Sequence, residues 1–437
     1  MIHYDIAVIG GGIAGFTAAL RSLEAGKKTV MISAGQSALH FSSGSIDVLG
    51  HFPNGEPVSQ PFEAIPKLVR QHPEHPYAKV SVDEITQSLA WFQHQLSAQK
   101  VCLYHQEDNA NHGRITPLGT VRPTWLSQGH VYQHRGPRRF SGLCFVAIEG
   151  YRDAQPTLAK DTITAQRDFA SCPSRTITLS IPGAERLRRN RNELRSVDLS
   201  RLLAEPDAFD SLCEQLIAQS GPDELVILPA IIADVAGERG MDALKQRTDR
   251  CFHEVPTMPP SLLGIRIERA LQRAFASAGG VLLRGDQVTG GEFDDNGRLT
   301  ALHTRQLEDI PLTADAVILA TGSYFSRGLN ADRTQVSEPT LGLDMVQSPD
   351  RSEWRNDDFF SQQSHPFMAF GINTDNQLRP TARGKRCQNL FVCGAVLSGY
   401  DPVYEGCGGG VAIATGYAAA QRALAVMANA KEASHAN

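Results

Sequence analysis

The chain has 437 residues, 41% of them hydrophobic and 20% charged, and its 42 basic and 47 acidic side chains give a formal net charge of −5. This length exceeds one ordinary hydrophobic core, so we expect about two or three globular domains. The near balance of charges argues against a broad polycationic surface, and we therefore predict that nucleic acid is not a partner.

The hydropathy of the chain predicts a cytoplasmic protein. Its most apolar stretch, 225–234, ends in a charged residue and is about half as long as the roughly 20 residues needed to span a bilayer. The opening residues have no basic segment of the kind that begins a secretory signal. We expect any contact with a membrane to be made through a partner protein.

The cysteines predict no metal centre. There are 8 of them, and no two have the spacing C-x-x-C. This pattern argues against a zinc ribbon and against a ferredoxin-type iron–sulfur cluster. We therefore expect free thiols and no metal ligands.

The most informative motif lies between a predicted strand over 4–9 and a predicted helix over 16–25. Gly10, Gly12 and Gly15 give the spacing G-x-G-x-x-G. In this motif the first glycine permits a tight turn, the second lets backbone N–H groups approach a phosphate, and the third lets the helix pack on the strand. The flanking strand and helix make a phosphate site the favoured interpretation. A glycine-rich turn without a ligand is the structural alternative.

The adenosine-binding part of this motif is absent. A full dinucleotide site places Asp or Glu about 20 residues further on, where the acid holds a ribose hydroxyl. The second predicted strand, 28–33, ends in Ser33, and no acid occurs from 33 to 46. Ser33 can hydrogen-bond a ribose more weakly than a carboxylate does, which keeps FAD as an alternative. The pattern favours a mononucleotide, FMN.

The middle of the chain predicts a separate α/β insertion over 138–258. Strands and helices alternate there, which is typical of βαβ units. The predicted strands and helices are 143–148, 153–169, 176–181, 198–203, 208–218 and 224–230. A proline-rich segment at 256–260 marks its end.

Two further glycine-containing turns follow predicted buried strands. The first strand, 315–320, is followed by Thr321 and Gly322. The second strand, 390–393, is followed by Gly394. Small residues at both turns allow a cofactor to approach the backbone closely.

A glycine-rich loop then precedes a predicted helix over 409–428, and it contains Gly406, Gly408 and Gly409. The start of that helix is a second possible anion site, where the helix dipole would stabilise charge on a reduced flavin. The alternative is a purely structural turn. Together these elements predict an α/β fold, with a Rossmann-like flavin-binding domain around a central parallel sheet. We expect 1–137 and 259–437 to form this discontinuous domain with cap elements, and 138–258 to be inserted in it.

The order of these markers resembles that of the two-dinucleotide-binding-domain flavoproteins, over about 1–50 and 262–428. Four strings also resemble the B-subunit family of anaerobic glycerol-3-phosphate dehydrogenase. They are residues 35–45, 114–119, 259–266 and 405–410. The resemblance implies a flavin-containing polypeptide, with FMN as its cofactor, in a quinone-linked enzyme of anaerobic respiration.

The same resemblance implies partners and a reaction. A separate catalytic subunit would form a heterodimer with this chain, and a membrane-anchoring iron–sulfur subunit would dock the pair on the membrane. Glycerol 3-phosphate would be oxidised to dihydroxyacetone phosphate, and quinone would carry the electrons to fumarate or nitrate reduction. Two alternatives stay open: a stand-alone flavin dehydrogenase or reductase of another small substrate, and a non-catalytic scaffold. A basic run between Arg186 and Arg195 is either a solvated face or a docking surface for a partner.

The loop over 34–54 contains three further candidates. Related fumarate-reductase-like enzymes bond a histidine near this place to their flavin, which makes His40 a weak catalytic candidate. Gly44 follows only four residues later, a departure from that family pattern, so we do not expect covalent attachment. Ser42 and Ser43 are candidate hydroxyl donors to a phosphate or ring oxygen.

Overall fold

The computed structural model describes residues 2–187 and 193–435. Within these ranges the α-helices are α1 (Ile13–Glu24), α2 (Pro61–Gln71), α3 (Val82–Ala98), α4 (Pro156–Thr164), α5 (Ala184–Leu187), α6 (Ser196–Leu202), α7 (Pro206–Gln219), α8 (Met241–Thr248), α9 (Leu262–Ser277) and α10 (Gly408–His435). The strands of the same ranges are β1 (Ile2–Ile9), β2 (Thr29–Ser33), β3 (Leu103–Tyr104), β4 (His112–Ile115), β5 (Val121–Thr124), β6 (Ser127–Gln128), β7 (Gly142–Ile148), β8 (Ser174–Leu179), β9 (Glu224–Pro229), β10 (Cys251–Val255), β11 (Val281–Arg284), β12 (Val288–Phe293), β13 (Leu299–Thr304), β14 (Leu312–Leu319), β15 (Asn330–Ala331), β16 (Val336–Ser337), β17 (Met345–Val346), β18 (Gly371–Ile372), β19 (Thr381–Ala382), β20 (Lys385–Arg386) and β21 (Leu390–Val392).

The chain folds into two compact units. The first unit comprises Met1–Ala38, Ile46–Gln95 and Leu271–Asn437, and the second comprises Leu39–Ser45 and Leu96–Ala270. The second unit is wider than the predicted insertion over 138–258. That domain boundary stays a proposal.

The first unit is built on a sheet with the strand order β11-β2-β1-β14-β13-β12, and β21 also pairs with β14. Strands β11, β2, β1, β14 and β21 run parallel to one another, and most of their apolar side chains are buried. Near-continuous apolar runs suit parallel strands covered on both faces. The predicted α/β fold with a central parallel sheet is confirmed.

The second unit contains a smaller, fully parallel sheet with the order β10-β9-β7-β8. Alternate residues of β7 enter different hydrophobic clusters: Leu143 and Phe145 belong to one, and Cys144 and Val146 belong to the other. This period of two is what a strand buried on both faces requires. The apolar sequence of β7 is therefore explained by burial on both sides.

Helix α10 is long and apolar enough, by length and composition, to cross a membrane over Gly408–Asn429. The hydropathy argument from the sequence did not identify this segment as long enough to span a membrane. Most of it is buried in the structure, and a Cβ on Gly416 would lie 2.6 Å from the carbonyl oxygen of Ala14 in α1. The helix thus has the packing of a core helix.

Several predicted boundaries were wrong, and some elements were missed. The helix predicted over 153–169 spans only Pro156–Thr164. It begins at Pro156 because proline favours the first position of a helix. Helix α8 was not predicted, since only three of its residues, Met241, Leu244 and Thr248, are buried. Such a narrow apolar stripe gives a weak periodic signal.

Candidate functional site

The glycine turn between β1 and α1 is crowded at its two ends and open in its middle. Gly10 has φ +114°, and a Cβ there would lie 2.2 Å from the carbonyl oxygen of Ala320. A Cβ on Gly15 would lie 2.0 Å from the carbonyl oxygen of Gly10. A Cβ on Gly12 would meet nothing within 4 Å. Packing within the protein therefore explains Gly10 and Gly15, but it does not explain Gly12.

The start of α1 is suited to an anion. Gly12 is the N-cap residue, makes no side-chain capping bond and is followed by no acidic residue in the first turn. The first N–H groups of a helix have no partner within the helix and lie at its positive end. A phosphate group would supply the missing acceptors.

The predicted turn after β14 lies beside the first one. Strands β1 and β14 are parallel, so their carboxyl ends lie at the same edge of the sheet. The hydroxyl oxygen of Thr321 is buried and has no hydrogen-bond partner in the described part of the chain. Gly322 has φ +81°, and a Cβ there would lie 2.9 Å from Oγ of Ser326. Thr321 thus offers a buried hydroxyl group to a ligand at this edge.

Gly394, after β21, contacts both α1 and α10. It has φ +77°, and a Cβ there would lie 2.8 Å from the Cβ of Ala14 in α1. Its N–H donates to Oγ1 of Thr415 at 2.9 Å, and that hydroxyl donates to the carbonyl of Val411 in α10 at 2.6 Å. Thr415, which sequence reasoning missed, therefore fixes α10 against the end of β21.

Glycines at the start of α10 and in the loop before it are packed against protein atoms. A Cβ on Gly408 would lie 3.1 Å from the Cβ of Pro402, and one on Gly409 would lie 3.0 Å from Cγ2 of Ile46. Gly406 has φ +59°, a conformation that favours glycine. The structural alternative therefore accounts for these glycines without a ligand, and their role in binding stays a prediction.

Ser33 lies where the missing acid would be. A Cβ on Gly11 would lie 2.7 Å from Oγ of Ser33, which places this hydroxyl beside the first glycine turn. The same oxygen donates to the carbonyl of Gly35 at 3.2 Å. The first unit thus brings Ser33 and the turns after β1, β14 and β21 to the carboxyl edge of one sheet.

The remaining candidates lie in the second unit. His40 forms a close ion-pair contact from Nε2 to the carboxylate of Glu268 in α9, with side-chain exposures of 13% and 8%. The carbonyl of His40 accepts the N–H of Ser261 at 2.7 Å. Nδ1 of His40 is buried without a hydrogen-bond partner among the described residues. Sequence reasoning missed Glu268, because no local pattern links it to His40.

The two predicted serines help to shape the loop that carries His40. Oγ of Ser42 accepts the N–H of Gly44 at 3.2 Å, and Oγ of Ser43 accepts the N–H of Ser45 at 3.4 Å. The side-chain amide of Gln128 donates to the carbonyl of Gly44 at 3.3 Å. These contacts show a structural role for both serines, and their role as ligand donors stays a prediction.

A buried cluster near the start of α10 has the residue types of a metal site. The ligand atoms of His75, Glu405 and Cys407 lie within 4.8 Å of one another. However, Nδ1 of His75 accepts the N–H of Tyr77 at 3.0 Å, so in the neutral ring the proton is on Nε2, the nitrogen facing Glu405. A metal-binding histidine instead donates its other ring nitrogen to a second partner. The tautomer therefore argues against a metal at this cluster.

Two thiols of the first unit are expected to be unreactive. Burial raises the pKa of Cys393, at the end of β21, to about 12. Burial, followed by the carboxylates of Glu405 and Asp401, raises the pKa of Cys407 well above its usual range. Since the thiolate is the reactive form, neither residue is suited to nucleophilic chemistry.

The first unit fits a flavin phosphate. The observations that support this are the open space at Gly12, the uncapped start of α1 and the unpartnered hydroxyl of Thr321 among the described residues. The residues that would hold the group are Gly12 at the phosphate and Thr321 at a polar atom beside it. The further candidates of the first unit border the same sheet edge or the start of α10.

Comparisons with known proteins agree with this geometry. The model of the FAD binding domain family matches residues 5–411, which supports flavin binding. A Vibrio vulnificus protein named as the B subunit of anaerobic glycerol-3-phosphate dehydrogenase is 58% identical over 424 residues, covering 97% of each chain. A Vibrio cholerae protein of the same name is 55% identical over 432 residues, covering 99% of each chain.

Among solved structures, Escherichia coli quinol fumarate reductase covers 98% of this chain and 71% of its own, at 11% identity and a TM-score of 0.44. That similarity is too low to carry an argument about function. The family match and the two Vibrio relatives confirm the predicted resemblance. The chain belongs to the FAD binding domain family and, within it, to the B-subunit family of anaerobic glycerol-3-phosphate dehydrogenase.

Proposed function

We propose that this chain is the flavin-containing subunit of a quinone-linked, anaerobic glycerol-3-phosphate dehydrogenase. The observation that carries the proposal is the open phosphate cradle at Gly12, in a chain whose relatives bear that enzyme's name over nearly their full length. The complex oxidises glycerol 3-phosphate to dihydroxyacetone phosphate. It passes the electrons to quinone, with fumarate or nitrate as the final acceptor.

The proposed cofactor is FMN, bound without a covalent bond, and FAD is the alternative. The support for FMN is the stretch from 33 to 46, which contains no acid to hold an adenosine ribose. Ser33 occupies the end of β2 beside Gly11, where that acid would stand. The name of the FAD binding domain family supports the alternative.

The proposed partners are a catalytic subunit and an iron–sulfur subunit that docks the complex on the cytoplasmic face of the inner membrane. The names of the relatives describe them as one subunit of an enzyme, which supports a multi-subunit assembly. A basic run between Arg186 and Arg195 is a candidate docking surface. Its central arginines, at 188, 189 and 191, lie outside the described residues.

The bound flavin would supply the hydride acceptor, and the protein would supply position and electrostatics. The backbone at Gly12 and the start of α1 would bind and orient the phosphate. Thr321 would offer its hydroxyl group to a hydrogen bond beside it. In the second unit, Glu268 fixes the orientation of the His40 ring, whose Nδ1 is buried without a hydrogen-bond partner among the described residues.

The first experiment identifies the cofactor. The purified chain should show flavin absorption bands near ~370 and ~450 nm, as flavoproteins in general do. Heat should release FMN, which mass spectrometry distinguishes from FAD. If the purified protein contains no flavin and takes up none on reconstitution, the result would favour the non-catalytic scaffold.

The second experiment separates the complex from a stand-alone dehydrogenase. We expect the isolated chain to bind flavin but to reduce an artificial dye with glycerol 3-phosphate only after the catalytic partner is added. Rapid dye reduction by the isolated chain with glycerol 3-phosphate would place the active site here and remove the need for that partner. Dye reduction with a different small substrate only would favour the stand-alone alternative.

A further inference from the structure

Two neighbouring phenylalanines of the first unit project into solvent. Phe359 and Phe360 are 73% and 85% exposed, more than the other large apolar residues that the structure describes. Their rings pack edge to face, with centroids 5.0 Å apart. A phenylalanine left in water forgoes the free energy that burial would provide. Aromatic side chains are enriched at the centres of protein interfaces, which is the environment that suits this pair.

The loop that carries the two rings is fixed by its own hydrogen bonds. Nδ2 of Asn356 donates to Oγ of Ser361 at 3.0 Å and to the carbonyl of Gln363 at 3.2 Å. Nδ1 of His365 accepts the N–H of Asn356 at 3.1 Å, and Nε2 of the same ring donates to the carbonyl of Phe359 at 3.1 Å. The backbone is therefore ordered before a partner arrives, which lowers the entropy cost of binding.

Two hydrogen bonds place this loop at the carboxyl edge of the parallel sheet. Oγ of Ser364 donates to Oδ2 of Asp401 at 2.6 Å, in the loop that follows β21. The hydroxyl of Tyr324, in the turn that follows β14, donates to the carbonyl of Phe367 at 3.2 Å. Strands β14, β21 and β1 are parallel, so the open turn at Gly12 lies at the same edge. A partner bound to the two rings would therefore dock at the edge that carries the proposed phosphate site.

The charges next to the rings are acidic. Asp357 and Asp358 directly precede Phe359, and both are exposed, so both are ionised at neutral pH. Oδ1 of Asp358 accepts the N–H of Phe360 at 2.9 Å, which holds this carboxylate beside the second ring. Anionic lipids give a membrane surface a negative potential, and a symmetric second copy would oppose the same carboxylates. The acidic border therefore disfavours both of these, and it fits a different protein with basic residues around an apolar pocket.

We propose that Phe359 and Phe360 are the anchor through which this chain docks to the catalytic subunit of its complex. This inference rests on the proposed function, because it requires that subunit. The heterodimer is the permanent contact of the proposed assembly, and permanent interfaces are more hydrophobic than transient ones. The matching surface of the partner is an apolar pocket with a basic rim.

The test uses the full chain with its flavin and measures its affinity for the purified catalytic subunit by titration calorimetry. Burial of one phenylalanine side chain changes an equilibrium by about 10- to 100-fold. The double variant Phe359→Ala/Phe360→Ala should therefore bind at least about 100-fold more weakly. Its flavin content and unfolding midpoint should match those of the wild type, because exposed side chains contribute little to stability.

The matched control is Ile310→Ala. Ile310 is 44% exposed and lies between β13 and β14, near the amino end of β14 and thus at the opposite edge of the sheet. Its loss should change the affinity by less than about twofold. Asp357→Lys tests the charge of the border, and we expect it to weaken binding more at low salt than at high salt. If the double variant loses flavin or stability, Phe360→Ala alone should still bind at least about 10-fold more weakly.

The outcomes separate this inference from the proposed function. A wild-type chain that does not bind the catalytic subunit would overturn the proposed assembly. If the wild type binds and the phenylalanine variants bind equally well, the docking role is overturned and the proposed function stands. An equal loss in Ile310→Ala, or tighter binding by Asp357→Lys, would also overturn it. So would phosphatidylglycerol vesicles, or a second copy of the chain, that bind through the two rings while the catalytic subunit does not need them.

Discussion

Two helices of the first unit begin at glycine-rich turns, and the two turns differ in what surrounds them. At the start of α1, a Cβ on Gly12 would meet nothing within 4 Å. At the start of α10, a Cβ on Gly410 would lie 2.2 Å from the hydroxyl of Tyr77 and 2.9 Å from the Cα of Val48. The N–H of Gly410 also donates to the carbonyl of Asp47 at 2.8 Å.

The two positions therefore require glycine for different reasons. Gly410 is required by packing within the protein, since any side chain would displace Tyr77 or the backbone around Val48. Packing does not require Gly12, which is explained only if a ligand approaches the backbone there. A glycine-rich helix start is therefore evidence for a ligand only where the protein itself leaves the glycine unexplained.

The largest effect that we expect is on ligand binding, from Gly12→Ala. Its backbone (φ −88°, ψ −174°) is one that alanine adopts, so the free energy of unfolding should change by less than about 1 kcal/mol. The added methyl group would lie where the phosphate must approach, so flavin affinity should fall by at least ~100-fold, about 2.7 kcal/mol. Denaturant unfolding and flavin titration measure the two quantities. Normal flavin occupancy in this variant would mean that the phosphate binds elsewhere.

The opposite result is expected for Gly410→Ala. Overpacking of this kind costs about 1–3 kcal/mol, because the methyl group would overlap with Tyr77. Gly290→Ala in β12 is the control, since a Cβ there meets nothing within 4 Å. Unfolding curves of the flavin-free proteins should show the loss in Gly410→Ala and not in the control. Equal stability of the two variants would contradict the packing explanation.

Whether the sequence could predict these contacts depends on how far apart the contacting residues lie along the chain. Gly10, Gly12 and Gly15 are neighbours in sequence, so their spacing already indicated a strand–turn–helix. The contact of Gly410 with Tyr77 joins residues more than 300 positions apart, and the pair of His40 and Glu268 joins residues more than 200 apart. Such contacts have no local pattern, and they depend on how the whole chain folds.

The elements themselves were predictable where burial is extensive. Strands β1, β7 and β14 contain continuous apolar runs with both faces covered, and all three were predicted. The short segments from β15 to β20 were not, because each has only two residues, which is too short to show a period of two. The α/β fold could thus be inferred from the sequence, but the tight packing at the start of α10 could not.

A smaller effect is expected from Tyr77→Phe, which tests the packing at the start of α10 from the Tyr77 side. The hydroxyl of Tyr77 donates to the carbonyl of Val48 at 2.7 Å in a buried environment, and its loss should cost about 1–2 kcal/mol. The same change removes the atom nearest to a Cβ at Gly410. The double variant Tyr77→Phe/Gly410→Ala should therefore be more stable than the sum of the two single losses predicts. Strict additivity would show that the backbone at Val48, rather than the hydroxyl, limits the space.

The smallest expected effect concerns the open turn before α1, from Ser33→Glu. Ser33 ends β2 beside Gly11, at the position where an acid would hold an adenosine ribose. A glutamate there should raise the affinity for FAD relative to FMN by roughly tenfold, the ~1.4 kcal/mol that a hydrogen bond to a charged group contributes. Gln36→Glu, an exposed position three residues later, adds the same charge and should leave the ratio unchanged. Competition between the two flavins, followed by mass spectrometry of the bound fraction, measures the ratio. If Ser33→Glu changes nothing while FMN still binds, the adenosine half of FAD does not lie along β2, and the missing acid is not what selects the cofactor.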